Sequence, residues 1–323
     1  MTTKVMAFGE ALIDFLSNGA TQTGELESFT KFPGGAPANV AVAVARLGGN
    51  SHFVGQVGED AFGYFLKDSL DSYGVNTSCM LMTKEAKTAL AFVSLDNTGE
   101  RSFEFYRSPS ADILFKEADF DSAWFADNKG VFHTCSNTLT DESITQATLA
   151  GVRMAREANW IVSIDVNLRT NLWPNGQVDT QRVIDWMQSG DVVKASLEEL
   201  AALSADPFAL IEESLAAGVA LFVLTDGGNA IRFFTRTHGQ GEVITPKVEV
   251  KDTTAAGDAF VGGLLYQLAE QGGDRESLVV LSQDELMNIV KFAAACGADS
   301  VTKLGAYPSL PSFAEATARL TSF

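Results

Sequence analysis

The sequence is poor in cysteine, in basic residues and in long apolar stretches, and each shortage excludes a class of protein. Its three cysteines are far apart and form no Cys-x-x-Cys pair, which argues against a disulfide framework or a zinc site. Lys and Arg total 23 against 41 Asp and Glu, so the formal net charge of −18 leaves no basic surface for nucleic acid. Glu10 and Asp14 interrupt the first apolar run too early for a signal peptide or membrane span. We therefore expect a cytoplasmic protein that binds neither nucleic acid nor membrane.

Two common nucleotide-binding signatures are also missing. The chain contains no Gly-Lys pair, which excludes a Walker-type hydrolase. Gly55, Gly58 and Gly63 have the wrong spacing for the Gly-x-Gly-x-x-Gly turn of a dinucleotide-binding dehydrogenase. The three histidines lie in no recognisable motif, so serine hydrolysis has no support either.

The pattern that is present belongs to an α/β fold. Short apolar strands at 4–8, 131–135, 161–166 and 221–225 alternate with helical stretches. This alternation predicts a doubly wound, mainly parallel sheet with helices on both faces. We see no repeat, low-complexity tract or Pro- and Ser-rich linker, so we expect one domain over residues 1–323.

The most informative stretch places an acid where a run of small residues turns into a helix. Ala255, Ala256 and Gly257 have no bulky side chain to keep a phosphate from their backbone N–H groups. The first N–H groups of a helix have no internal partner and form an anion site together with the helix dipole. Asp258 in that first turn could accept a proton from a hydroxyl while the amides stabilise a transferred phosphoryl group. The alternative is an ordinary helix cap with a solvated first-turn acid.

A second stretch joins a tight turn to a run of small apolar residues. Gly34 and Gly35 would let a ligand approach the backbone closely, and Asn39 follows near the start of the run. The alternating Val and Ala residues of 40–45 fit a helix ended by the Gly48-Gly49 pair, but they also fit a buried strand.

Together these stretches resemble the two signatures of the ribokinase-like (PfkB) carbohydrate kinases, a family that includes fructokinases, 2-keto-3-deoxygluconate kinases and adenosine kinases. Many members have Gly where this chain has Ala255, which leaves the turn small. The resemblance implies a small β-sheet lid inserted at about 10–34 and 88–107, ATP and Mg²⁺ as ligands, and Asp258 as base. It also implies sugar binding by the turn and two side chains: Asp14, Gly34, Gly35 and Asn39.

Two arginines extend the implied substrate site. Arg107 follows a hairpin whose turn we predict at 96–99, and Arg169 lies in an Asp-x-Asn-x-Arg stretch similar to fructokinases. Each guanidinium could bind the substrate or its phosphate through two hydrogen bonds. A surface ion pair is the alternative for either residue.

For the nucleotide, the resemblance implies four residues at the ends of two strands. Ser196 replaces the family's usual Asn, while Glu199 keeps the acid that acts on Mg²⁺ through water. Thr225 and Gly227 would hold the phosphates and ribose. The small residues of 293–298 would offer a flat surface to adenine, unless they serve tight helix packing.

The resemblance further implies a monovalent-cation site and a dimer. In potassium-activated relatives the matching positions are Asp252, Thr254, Ser300, Lys303, Gly305 and Ser309. Lid strands in this family often pair into a homodimer.

We therefore expect an ATP-dependent sugar kinase acting on a primary hydroxyl, with D-fructose as first choice and fructose 6-phosphate as product. The alternatives are 2-keto-3-deoxygluconate kinase, aminoimidazole riboside kinase and, from a different class, a sugar- or nucleotide-binding regulator without turnover. The net charge of −18 repels ATP at long range, so Mg²⁺ and the local amides must offset it.

Overall fold

The computed structural model describes residues 3–19, 28–95, 101–321 and 323. Within these residues the larger sheet has nine strands in the order β13-β12-β11-β10-β9-β8-β1-β4-β5. These strands are β1 Lys4–Phe8, β4 Asn50–Gly58, β5 Asn76–Thr83, β8 Gly130–Cys135, β9 Ile161–Asp165, β10 Val192–Ser196, β11 Leu221–Thr225, β12 Ile231–Thr235 and β13 Gly239–Val243. All neighbours are parallel except β12, which is antiparallel to β11 and β13. The predicted doubly wound, mainly parallel sheet is confirmed.

Ten α-helices accompany the sheet in the described ranges. They are α1 Ala36–Arg46, α2 Ala61–Ser72, α3 Glu142–Glu157, α4 Thr180–Met187, α5 Leu197–Leu203, α6 Pro207–Ala217, α7 Ala256–Glu270, α8 Arg275–Val279, α9 Gln283–Ser300 and α10 Phe313–Leu320. None of the described helices has the length and apolar character needed to cross a bilayer.

Strand β1 shows why both faces of the sheet are covered. Successive side chains of a strand point to opposite faces, and here they enter different clusters. Val5 and Ala7 pack with the apolar faces of α1, α7 and α9, whereas Met6 and Phe8 pack with those of α3 and α4. The two cores therefore lie on opposite sides of one sheet, and the carboxyl ends of its parallel strands are left to form a site.

A second sheet of four strands forms the lid. It contains β2 Leu12–Ser17, β3 Phe29–Gly34, β6 Leu90–Leu95 and β7 Arg101–Tyr106 in the order β3-β2-β6-β7. These strands fall within the two intervals that the sequence predicted for the lid. The predicted turn at 96–99 lies outside the described residues, and the strands flanking it pair antiparallel.

Residues 36–46 form helix α1 and not the alternative strand. Helix α1 packs against α7 where Gly262 has no side chain, because a Cβ at that position would overlap Ala43. Gly263 likewise lets α7 approach Cys296 and Ala293 of α9. Ala293 and Cys296 thus serve tight helix packing, and the adenine surface over 293–298 stays a prediction. The close α1–α7 contact brings the start of each helix to the same cleft.

Candidate functional site

Asp258 lies in the first turn of α7, where no side chain caps the helix. Ala255 is the N-cap residue with φ −113° and ψ 18°, a conformation open to any residue, so the Ala that replaces the family's usual Gly fits the turn. The Asp258 carboxylate is 7% exposed and forms no salt bridge among the described residues. The sequence alternative of a solvated first-turn acid is therefore wrong.

The side chain of Asn39 fixes Asp258 from the neighbouring helix. Its Nδ2 donates to Asp258 Oδ2 at 2.7 Å, and its backbone N–H donates to the Gly35 carbonyl at 2.8 Å. Asn39 Oδ1 is buried without a hydrogen-bond partner among the described residues. Because both helices begin here, the two sequence signatures meet in one place.

The pKa of Asp258 is raised to about 7. Burial is the main cause and nearby Asp165 adds to it, while the Asn39 hydrogen bond, Arg169 and Lys194 oppose it. A carboxyl group with a pKa near the working pH is well matched to proton transfer.

A cleft of about 400 Å³ opens in front of Asp258. Its lining includes the predicted sugar residues Asp14, Gly35 and Asn39, together with Arg169 and Thr254. Small-molecule sites in proteins typically measure about 300 to 1,000 Å³. The geometry therefore brings four predicted substrate side chains to one cavity of suitable size: Asp14, Asn39, Arg169 and Asp258.

Asp14 lies on lid strand β2, opposite Phe32 of β3. Burial, with the charge of Glu10, raises the pKa of Asp14 to about 7. A Cβ on Gly34 would collide with Asp14 Oδ2, so only glycine at this position lets the carboxylate keep its place. Gly34 thus supports the predicted sugar anchor indirectly.

Glu10 is a buried residue of the cleft that sequence reasoning missed. Its Oε1 accepts from Asn137 Nδ2 at 2.9 Å and from the Ala36 N–H at 3.3 Å, while Oε2 has no partner among the described residues. Burial raises the pKa of this carboxyl group. Its place directly after Gly9 at the end of a strand was the available signal.

Arg107 forms an ion pair, as the alternative interpretation predicted, but the pair is buried and does not lie on the surface. Its Nε donates to Asp112 Oδ2 at 2.6 Å and its Nη1 to the Asn137 carbonyl at 2.9 Å. Nη2 is buried without a partner among the described residues. Arg107 lines a neighbouring cleft of about 370 Å³, whereas Arg169 is exposed and lines the cleft of Asp258.

A buried ion pair beneath the site was also missed. Lys194 on β10 and Asp165 on β9 are register partners, and Lys194 Nζ lies 3.0 Å from Asp165 Oδ1. A Cβ built on Gly257 would lie 3.4 Å from the same Nζ. A lysine inside the otherwise apolar strand β10 was the signal that could have revealed it.

The predicted nucleotide residues lie side by side at two strand ends. Ser196 Oγ accepts from the Glu199 N–H at 3.1 Å, and Glu199 Oε2 accepts from the Ser196 N–H at 2.7 Å, so the pair caps α5. Glu199 Oε1 accepts from the Leu168 N–H at 3.2 Å. Thr225 is the register partner of Ser196, and Gly227 follows with φ +54°.

The predicted cation residues come from the loop before α7 and from the end of α9 with the residues that follow it, and Asp252 joins these two segments. Its Oδ1 accepts from the Thr254 N–H at 2.9 Å and its Oδ2 from the Gly305 N–H at 3.0 Å. The hydroxyl groups of Ser300 and Ser309 are 3.0 Å apart. Lys303 directs its ammonium away, to Asp299 and Glu315, each at 2.8 Å.

A proton acceptor beside uncapped helix amides, facing a cleft of this size, is suited to phosphoryl transfer onto an alcohol. Its scaffold of a doubly wound sheet with a small β-sheet lid is that of the ribokinase-like small-molecule kinases.

The chain belongs to the pfkB family of carbohydrate kinases, whose model matches residues 2–312. Fructokinase-2 of Zea mays is 41% identical over 317 residues, which cover 97% of this chain and 92% of that protein. A fructokinase from Xylella fastidiosa, solved with bound ATP, superimposes with a TM-score of 0.93 at 44% identity and covers 99% of both chains. A fructokinase double mutant from Vibrio cholerae O395, solved with fructose, ADP and a potassium ion, has a TM-score of 0.86 at 34% identity, covering 99% of this chain and 98% of that one.

Proposed function

We propose that this enzyme transfers the γ-phosphoryl group of ATP to the primary hydroxyl of D-fructose and forms fructose 6-phosphate. The observation that carries the proposal is the Asp258 carboxylate, held by Asn39 at the start of α7 and facing the cleft. The fructokinase relatives described above support the choice of sugar and nucleotide.

In the proposed reaction Asp258 accepts the proton of the sugar hydroxyl. The hydroxyl oxygen forms a bond to the γ-phosphorus, the bond from that phosphorus to the β–γ bridging oxygen breaks, and ADP leaves with the electron pair. The amides of Ala255 to Asp258 stabilise the charge on the transferred group. Asp14, Gly35 and Asn39 hold the sugar in place.

We propose that Mg²⁺ binds to the enzyme together with ATP. The described residues contain no group of three or more His, Cys, Asp or Glu side chains placed to hold a metal ion. Both oxygens of Glu199 accept backbone N–H groups, and we propose that this carboxylate acts on the metal through water. The metal neutralises phosphate charge when bound.

A monovalent cation fits the loops around Asp252. The buried hydroxyl groups of Ser300 and Ser309 are 3.0 Å apart. Asp252 is tied to the residues that follow Ser300, because its backbone N–H donates to the Val301 carbonyl and its Oδ2 accepts from the Gly305 N–H. Oxygen donors of this kind suit a hard cation. We propose that K⁺ binds here and stabilises the loop that leads into the Ala255–Asp258 turn.

The substrate is tested by comparing fructose, ribose, 2-keto-3-deoxygluconate and aminoimidazole riboside at equal concentration with Mg·ATP, following ADP release. We expect fructose to give the highest kcat/KM. The structure disfavours the sugar acid, because Arg107, one of the two arginines that would bind its carboxylate, is held by Asp112 outside this cleft. A higher kcat/KM for ketodeoxygluconate would contradict the choice of sugar, and no ADP release with any sugar would favour the regulator.

Replacing Asn39 by Ala should move the acid limb of kcat/KM to higher pH. The hydrogen bond from Asn39 favours the ionised form of Asp258, so its loss raises the pKa of that carboxyl group above about 7. We expect a displacement of about one pH unit, measured as kcat/KM for fructose between pH 5 and 9. An acid limb at the wild-type position would show that Asn39 does not act on Asp258.

We propose that the enzyme is a homodimer through the lid. The ring of Phe92 lies 5.0 Å from Phe15, 5.4 Å from Phe29 and 5.3 Å from Tyr106, and Tyr106 is 56% exposed. Light scattering should give twice the 34.5 kDa of one chain, and Tyr106→Glu should shift it toward the monomer. Val280→Glu, at another apolar position that is 77% exposed, should leave the dimer intact. A wild-type monomer would refute this part of the proposal.

A cytoplasmic location completes the proposal. The three cysteines are free and buried, as suits a reducing compartment.

A further inference from the structure

Lys194 is a cation inside the large sheet. Its side chain is 9% exposed, and its strand neighbours Val192, Val193 and Ala195 are fully buried. Removing an ammonium group from water costs several kcal/mol unless a partner and good hydrogen bonds offset the loss. A lysine at this position therefore needs a compensating partner, and replacing it by an apolar residue would be the simpler solution for stability alone.

The neighbouring strand supplies that partner. Asp165 lies in register with Lys194 and accepts from its Nζ at 3.0 Å, and it is itself 2% exposed. The ammonium has three N–H donors, of which the hydrogen bonds of the described residues use one. Asp165 therefore fixes the position of the Lys194 ammonium, and two of its N–H donors remain without a hydrogen bond among the described residues.

The ammonium lies against the turn that we propose as the phosphoryl site. Lys194 Nζ would be 3.4 Å from a Cβ on Gly257, and no other non-neighbouring atom comes within 4 Å of that position. A side chain on Gly257 would separate the ammonium from the turn. The absence of one lets the positive charge approach the first backbone amides of α7.

The surrounding charges come from four elements. Asp165 of β9, Glu199 of α5 and Asp258 of α7 are negative and favour the charged lysine, whereas Arg169 is the cation on the cleft side. His133 of β8 is buried near Lys194, and burial together with that charge lowers its pKa to about 3, so it is neutral. Lys194 is therefore the buried positive charge among several carboxylates.

We propose that Lys194, fixed by Asp165, supplies the permanent positive charge of the phosphoryl-transfer site and acts through the Gly257 turn on Asp258 and on the incoming phosphoryl group. The inference rests on the proposed function and adds a positioning residue to it. Without the ammonium, Asp165 and Asp258 would face each other and the phosphates with no buried cation between them.

The test uses Lys194→Met, Asp165→Asn and the double variant. Lys194→Met should lower kcat by about 100-fold, as the loss of one charge-stabilising donor does. Asp165→Asn should lower the pKa of Asp258, because it removes a negative neighbour. The double variant should raise that pKa again relative to Asp165→Asn, because only the ammonium differs between the two. Each displacement should be about one pH unit. The two neutral side chains of the double variant should keep the fold, while kcat stays low.

The pKa of Asp258 is read in two ways. The pH profile of kcat/KM for fructose gives it in active enzyme, and NMR titration of ¹³C-labelled aspartate carboxyl groups, assigned with Asp258→Asn, gives it in free protein. Lys4→Met is the control, since Lys4 pairs with Asp127 on another part of the sheet. Melting temperatures report folding for every variant.

A fall of the Asp258 pKa in Asp165→Asn, and a rise from Asp165→Asn to the double variant, would support the inference. Displacements in the same direction, or none, would overturn it, as would a kcat of Lys194→Met equal to that of the control. If wild-type enzyme phosphorylates no sugar, the proposed function fails, but the NMR titration still decides whether Lys194 acts on Asp258. If Lys194→Met does not fold, Asp165→Asn and the double variant carry the same test.

Discussion

Asp258→Asn should lower kcat by about two to four orders of magnitude, or about 3 to 5 kcal/mol of barrier. Asparagine keeps the size of the side chain and a hydrogen-bonding oxygen but cannot accept the hydroxyl proton. The KM for fructose should change little, because the sugar contacts of Asp14, Gly35 and Asn39 remain. Initial rates of ADP release at saturating Mg·ATP measure the effect.

A matched control exists in another helix. Asp284 is also an acid in a first helical turn, but it is exposed and lines no described cleft. Asp284→Asn should therefore keep wild-type turnover. Near-normal kcat in Asp258→Asn, with the control unchanged, would contradict the role of Asp258 as base.

We expect the same carboxyl group to set the pH dependence of kcat/KM in the wild-type enzyme. Asp258 must be ionised to accept a proton, so kcat/KM should rise as pH passes through about 7 and fall on the acid side. Folding stability should depend on pH in the opposite direction from kcat/KM. A carboxyl group whose pKa is raised in the folded state stabilises the protein less as pH rises, so Asp258→Asn should melt above the wild type at pH 8.

Gly35→Ala should cause the second large loss, here in sugar binding. Gly35 has φ +103°, and an alanine Cβ would lie 2.5 Å from the Glu10 carbonyl oxygen, which is backbone and cannot move away. The turn must shift, and with it the start of α1 and Asn39. A misplacement of about 1 Å can cost about 100-fold in rate. We expect a loss of this size in kcat/KM for fructose.

Gly48→Ala is a control variant that has the backbone strain of Gly35→Ala without its steric clash. Gly48 also has a positive φ, +92°, but no non-neighbouring atom lies within 4 Å of its Cβ position. Both variants should pay about 1 to 3 kcal/mol for a non-glycine residue in this conformation. Thermal melting compares that cost, and only Gly35→Ala should lose activity. Equal activities would show that the turn is not part of the sugar site.

The predictable part of the site is the part that local chemistry encodes. Small residues followed by Asp258 define an anion-binding turn without any knowledge of distant residues, and the structure places the turn on the cleft. The diglycine turn at Gly35 is local in the same sense. Both turns reach the cleft in the structure, and their backbone conformation and small side chains are properties of the local sequence.

The unpredicted part depends on contacts between distant segments. Lys194 and Asp165 meet only because two parallel strands pair in one register. Glu10 meets Asn137 because β1 and β8 are neighbours. Helix α1 could not be told from a strand by its alternating Val and Ala residues, and its contact with α7, where Gly262 approaches Ala43, also joins distant segments. The hydrogen bond from Arg107 to Asp112 could not be predicted either, because no sequence motif indicates the turn that brings the two side chains together.

The most direct test is a crystal structure of the enzyme with fructose and a non-hydrolysable ATP analogue. We expect the C6 hydroxyl of fructose at hydrogen-bond distance from Asp258, about 2.6 to 3.2 Å, with the γ-phosphoryl group on the amides of Ala255–Asp258. A sugar bound with its C6 hydroxyl away from Asp258, or a γ-phosphoryl group off these amides, would contradict it.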